Sequence, residues 1–182
     1  MQTFICVASG PSLTQEDCIT AAASGFPIIA VNSSWQRVPD CQHLYANDRQ
    51  WWDKHHADVS CTAKKWTSVQ GVASHYGLSF FPSPLKGGFN SGQRAILLAK
   101  HLGAERILLL GYDCSIEHGT HWHGNHDVGL KNPNKNNIIR WKEQFARLAK
   151  SLPAETVINC SRHTELVAFP CGTLEEAMQN GL

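Results

Sequence analysis

Apolar residues fall along this chain in short unbroken runs, separated by stretches in which they recur every three or four positions. The runs cover residues 3–8, 27–31, 44–46, 107–110 and 156–159. They are too short for helices and show little polar alternation, so each reads as a strand buried on both faces. Helical spacing appears between them. A helix should open near Ser12, with Gln15 three residues on as a capping box, and stop at Gly25. A second opens at Asn90-Ser91-Gly92, carries Ala95, Leu98, Ala99 and Leu102 on one face, and stops at Gly103. A third runs over residues 138–152 to Pro153, with Ile138, Trp141, Phe145, Leu148 and Ala149 as its core face. Thr173 with Glu176 caps a short last helix. Residues 54–89 are the least regular: Lys64-Lys65-Trp66 and Phe80-Phe81 suggest an edge strand before a proline-rich loop, and Lys86-Gly87-Gly88-Phe89 a connector.

Buried strands alternating with helices predict an α/β fold: a single Rossmann-like, doubly wound, mostly parallel sheet flanked by helices. With no repeat, linker or low-complexity segment, residues 1–182 read as one domain. The ligand cleft of such a sheet lies outside the strand C-termini. Ser9-Gly10-Pro11, Asn32-Ser33, Asn47-Asp48, Asp113 and Ser161-Arg162 should therefore converge there. The order strand, small-residue turn, helix start at Ser9, Gly10, Pro11 and Ser12 is suited to a phosphate or nucleotide, because backbone N–H groups and a helix dipole then face the anion. A plain tight turn has the same composition. Asp48 has a second reading as the cap of the helix that holds Trp51 and Trp52.

After the central strand comes Gly111-Tyr112-Asp113, then His118, His121, His123 and His126. One histidine of ordinary basicity can take a proton from an acceptor hydroxyl. Alternatively His118, His121 and His123, aided by His126, Asp113 and Asp127, supply ligands for zinc or another transition metal. The bland alternative is polar loop residues, with Trp122 among them for packing.

The net charge of +1 gives no bulk case for nucleic acid or a membrane. No apolar run approaches a membrane span, and the opening residues read as a strand, not a signal peptide. The seven cysteines are scattered with no CxxC pair, which suits a reduced, cytoplasmic protein and not thiolate zinc. Exposed aromatics, if present, would offer a face for a homo-oligomer.

Taken in order, GPSL, VNSSW, NSG and LGAERILLLGYD resemble the small bacterial sialyltransferase fold. They are also similar to phage and prophage proteins grouped with MptE-like pterin pyrophosphokinases, the phage type most closely through YANDRQWWDKH, THWHGNH and VINCSRHTELVAFP. The resemblance covers nearly the whole chain. It implies a nucleotide site at Ser9, Gly10, Pro11, Ser12 and Asn32, to which the strand ends add Ser33 and Asp48, and donor contact at Asn90, Ser91 and Gly92. It implies a general base at His126, or at His123, near Asp113, and closure of the loop at Ser161 and Arg162 on the nucleotide. The two tyrosines that hold the leaving phosphate in the sialyltransferases are replaced here by Ser115 and by His121 or Trp122.

The function expected is a glycosyltransferase that moves a sugar from a nucleotide-sugar, CMP-type favoured, to an acceptor hydroxyl without a metal cofactor. The acceptor would be a surface glycan or a modified nucleobase, the latter needing a basic rim from Lys64, Lys65, Lys86, Arg94, Lys131 and Lys135. Two alternatives stand beside it. One is ATP- and Mg²⁺-dependent pyrophosphoryl transfer to a pterin-like heterocycle, with Asp48 and Asp113 on the metal. The other is a nucleotide-binding sensor without catalysis.

Overall fold

The structure is a computed structural model that describes residues 1–126 and 130–179. In chain order the elements are β1 (Thr3–Val7), α1 (Gln15–Ala23), β2 (Ile28–Val31), a 3₁₀ turn (Asn32–Gln36), β3 (His43–Tyr45), α2 (Arg49–His55), β4 (Lys64–Thr67) and α3 (Gln70–Tyr76). There follow β5 (Ser79–Phe80), α4 (Ser91–His101), β6 (Arg106–Leu110), α5 (Lys135–Lys150), β7 (Val157–Asn159) and α6 (Leu174–Gln179). The strands form one sheet in the order β5-β4-β3-β2-β1-β6-β7, and every pair is parallel.

The period of two within the apolar runs decides which core each residue joins. Phe4, Cys6, Ile29, Val31, Ile107 and Leu109 face one side, packed with Ile96 and Leu98 of α4 and Phe145 and Leu148 of α5. Ile5, Val7, Ile28, Ala30, Leu108 and Leu110 face the other, with Cys18 and Ala21 of α1, Trp51 and Trp52 of α2, and Leu174 and Ala177 of α6. Both faces are covered, which is why the runs lack polar alternation.

The α/β arrangement is as the sequence predicts, and several local details differ. The N-cap of α1 is Thr14, which forms its capping box with Asp17; Ser12 lies upstream and bonds elsewhere. Helix α3 is unforeseen: it contains Gly71 and starts at Val69 with no side-chain cap, so neither propensity nor capping announces it. The edge strand is β5, only two residues long, with β4 one place inside it. Helix α5 begins three residues early because Asn134 and Asn137 form a capping box. The tryptophans are all buried or half-buried, so they supply no exposed aromatic face; Phe80 is the aromatic that stands out. Among the described residues no helix is long and apolar enough to cross a membrane.

Candidate functional site

After β1 the chain winds through β2 to β5 on one side of the sheet, and it returns through α4 to place β6 on the other side. Successive strands thus diverge at β1 and β6, and a crevice opens beyond their C-terminal ends. The crevice has a volume of about 1030 Å³, at the upper limit of small-molecule sites.

Its floor is built by close backbone approach. The N–H groups of Ala8 and Gly10 donate to the carbonyls of Leu110 and Gly111, both at 2.8 Å, carrying the β1–β6 pairing past the strands. Gly111 has φ of 70°, and a Cβ there would lie 2.7 Å from the Ala8 carbonyl oxygen. A Cβ on Gly10 would lie 2.3 Å from Oδ1 of Asp113. Both glycines are needed for this contact to exist.

Asp113 then ties the two strand ends together. Its Oδ2 accepts from the Ser12 N–H at 2.8 Å and its Oδ1 from the Ser12 hydroxyl at 2.6 Å. Burial pushes the Asp113 carboxyl up, against the pull of the two Ser12 donors and of nearby His163 and His118. The turn at Ser9 to Ser12 thus uses its donors internally, since the N–H of Leu13 also bonds the Gly10 carbonyl. Pro11 and Ser12 do not line the cleft, whereas Ser9, Gly10 and Asp113 do. A phosphate cradle at Ser12 would need the N–H that Asp113 already holds.

The next polar groups come from β2, β3 and the start of α4. Asn32 follows β2 in the left-handed region, φ 49°, an arrangement asparagine tolerates better than most residues. It lines the cleft, and its buried Oδ1 meets no partner among the described residues. Ser33 faces away and accepts from the Trp51 indole at 3.2 Å. Asn47 and Asp48 line the cleft. Asp48 also caps α2 by accepting from the Gln50 N–H at 3.0 Å, so its reading as a helix cap is right. Asn90, Ser91 and Gly92 line the cleft as well. Asn90 caps α4 in a box with Gln93, Ser91 Oγ accepts from the Asn47 N–H at 3.1 Å, and the Gly92 carbonyl accepts from the Tyr112 hydroxyl at 3.0 Å.

The histidine loop divides. His121 and His126 line the cleft with ring centroids 4.3 Å apart. His123 packs on both rings but lies outside the lining. The Ser9 hydroxyl meets His121 Nδ1 at 2.7 Å, while His121 Nε2 is buried with no hydrogen-bond partner among the described residues. Burial, and then the nearby His126 and His123, push His121 down to about 3. It is therefore neutral near pH 7. His118 is turned away from these three and packs on His163 at 4.7 Å. The metal set His118, His121 and His123 is thus not assembled: the ligand atom of His118 groups with those of Glu117 and His163 instead. Asp127 lies outside the described residues.

Three further candidates hold structural positions. Trp122 docks the loop: its backbone N–H donates to the Ser9 carbonyl at 2.8 Å and Arg37 stacks over its ring at 4.2 Å. Ser161 accepts from the Tyr112 N–H at 2.7 Å and is not in the lining. Arg162 reaches α1, bonding Asp17 at 2.9–3.0 Å, so it fastens the terminal loop to a helix and does not close over the cleft. Ser115 does line the cleft, with its hydroxyl donating to Glu165 at 2.6 Å.

Sequence reasoning passed over the opposite contributors. Phe89, Ile138, Trp141 and Phe145 supply apolar wall, and Arg140 supplies a cation beside the foreseen Lys131. The helical spacing of Ile138, Trp141 and Phe145 was right, but periodicity cannot distinguish a core wall from a pocket wall. Of the six residues proposed for a basic rim, Lys131 alone is in the lining. Lys64 stacks on Trp66, and Arg94 bonds the Phe89 and Gly87 carbonyls. Comparison of the chain with protein-family models, curated proteins and solved structures finds no match to any of them.

Proposed function

We propose that the crevice beyond β1 and β6 binds a nucleotide-linked donor, a CMP-type nucleotide-sugar by preference, and that the chain transfers the sugar to an acceptor hydroxyl. The observation that carries this reading is the pair of unsatisfied polar atoms on cleft-lining residues, Asn32 Oδ1 and His121 Nε2. A buried polar atom without a partner costs about 1–3 kcal/mol, and a ligand N–H given to Asn32 Oδ1 removes that cost there. The exocyclic amine of cytosine is such a donor, and the uracil oxygen at the same position is not. The half-buried Trp141 offers a face for stacking, and Lys131 and Arg140 offer charge for a phosphate.

In the transfer step the acceptor oxygen bonds to the anomeric carbon as the bond from that carbon to the phosphate oxygen breaks. The nucleotide leaves with the electron pair, stabilised by Lys131 and Arg140, and the acceptor proton passes to His126. His126 is preferred over His123 because it lines the cleft, and over His121 because a ring pushed down to about 3 is too weak a base near neutral pH. The Mg²⁺-dependent alternative finds less support, since both carboxylate oxygens of Asp113 are taken by Ser12.

Thermal shift with CMP, UMP, CDP, UDP, GDP, ATP and GTP, with and without Mg²⁺, tests the binding. CMP should stabilise the protein without metal and more than UMP does. Hydrolysis or transfer from a CMP-sugar should then vanish in His126→Ala while CMP affinity stays within a few-fold. Stabilisation by ATP only with Mg²⁺ would move the reading to pyrophosphoryl transfer. CMP binding without turnover would leave a sensor, and no response to any nucleotide would refute the proposal.

A further inference from the structure

The first turn of the histidine loop and the loop after β7 come together outside the cleft. There Glu117, His118 and His163 each present one ligand atom, and these atoms all lie within 4.8 Å of one another. None of the three lines the crevice. His118 and His163 meet edge to face with centroids 4.7 Å apart. The His163 Nε2 is shut off from solvent and has no hydrogen-bond partner among the described residues, whereas Glu117 and His118 are exposed.

We infer that Glu117, His118 and His163 form a binding site for Zn²⁺ or a similar divalent transition metal, clipping the histidine loop to the loop after β7. Two imidazoles and a carboxylate are a ligand set that zinc accepts, with solvent completing the shell at the exposed side. Donors about 2.1 Å from a tetrahedral ion stand about 3.4 Å apart, so small rotations of the two exposed side chains close the present spacing. An unpaired buried imidazole nitrogen is costly unless something occupies it, and a cation bound through His163 Nε2 would supply the partner.

The neighbourhood suits a cation. The Asp113 carboxylate interacts electrostatically with both His118 and His163, and beyond them Ser115 and Lys142 hold Glu165 at 2.6 Å each. The ion would sit where the loop leaves the sheet, before it runs on to His121 and His126. Its role is to fix the base of the loop; it takes no part in the transfer step. In that sense the inference deepens the reading of the cleft, but metal binding can be measured with no nucleotide present.

Titration of the metal-free protein with Co²⁺, followed by its visible ligand-field absorption and by competition with Zn²⁺, tests the site. One equivalent should bind, and Zn²⁺ at about 100 times Kd should raise Tm by roughly 5–10 °C. His118→Ala and Glu117→Gln change exposed residues and should leave the metal-free melting curve unaltered, yet each should weaken binding at least tenfold, as should His163→Ala. The double variant His123→Ala/His126→Ala should retain the Co²⁺ spectrum. Absence of stoichiometric binding would overturn the inference. So would a spectrum lost in the double variant and kept in His118→Ala, since the ion would then belong to the cluster of His121, His123 and His126.

Discussion

Replacing Gly10 by alanine puts the switch-point geometry to the sharpest test. The new methyl would sit 2.3 Å from Asp113 Oδ1, 2.5 Å from its Cγ and 2.6 Å from the Gly111 carbonyl oxygen. Ordinary contact begins near 3.4 Å, so the carboxylate must withdraw by about 1 Å, beyond hydrogen-bond range of both Ser12 donors. Two hydrogen bonds to a carboxylate contribute about 1.5–3 kcal/mol each. The Gly111 carbonyl belongs to the β1–β6 pairing and cannot rotate aside, which adds an overpacking cost of about 1–3 kcal/mol. Because the two costs share one displacement they do not add fully, and a loss of about 4 kcal/mol is expected. For a domain of this size that lowers Tm by about 8–16 °C. Urea denaturation and a thermal melt of Gly10→Ala beside wild type provide the measurement. A variant that melts within about 2 °C of wild type would refute the clamp. If that variant had also lost its ligand, Gly10 would be reserved for close approach of the ligand instead.

Three other outcomes are expected. His121 is held well below the usual imidazole range, so the unfolded chain binds the extra proton first; its contribution to stability is complete above about pH 6.5. It is lost as pH falls towards about 3. The pH slope of the unfolding free energy over that window should be steeper in wild type than in His121→Gln, and equal slopes would contradict the burial. Arg162→Ala removes a half-exposed partner from the buried Asp17 carboxylate, costing about 1–3 kcal/mol, and should leave CMP affinity within twofold; a tenfold loss would put Arg162 at the nucleotide after all. Cys6, Cys18, Cys41 and Cys160 are buried and their thiols are pushed up by burial, to about 12 for Cys41 and Cys160. Ellman's reagent at pH 8 should therefore label exposed Cys171 quickly and these four only on unfolding.

The strands and most helices could be read directly because their signals are local. Burial on both faces removes polar residues from a strand, and a cap stands within three residues of the group it satisfies, as at Asn90 with Gln93 and Thr173 with Glu176. Where the local signal fails, so does the reading. Ser12 and Gln15 look like a capping box, but Thr14 and Asp17 form it, since Ser12 has a stronger partner in Asp113. Helix α3 carries an internal glycine and no cap, and its existence depends on Val72 and Ala73 being buried against the sheet.

From the order of its residues alone, this chain is an α/β domain with a parallel sheet and polar groups at the strand ends, because burial and chain connectivity impose those patterns at short range. Which of those groups meet was decided only in three dimensions. Asp113 bonds a residue 101 positions away, Arg162 one 145 positions away, and His118 packs on His163 and not on its neighbours in the loop. Trp141 lines the cleft while Leu148, two turns further along the same face of α5, lies in the core. Side-chain chemistry is written residue by residue, but a site is a set of distances across the sheet, and no local rule contains them.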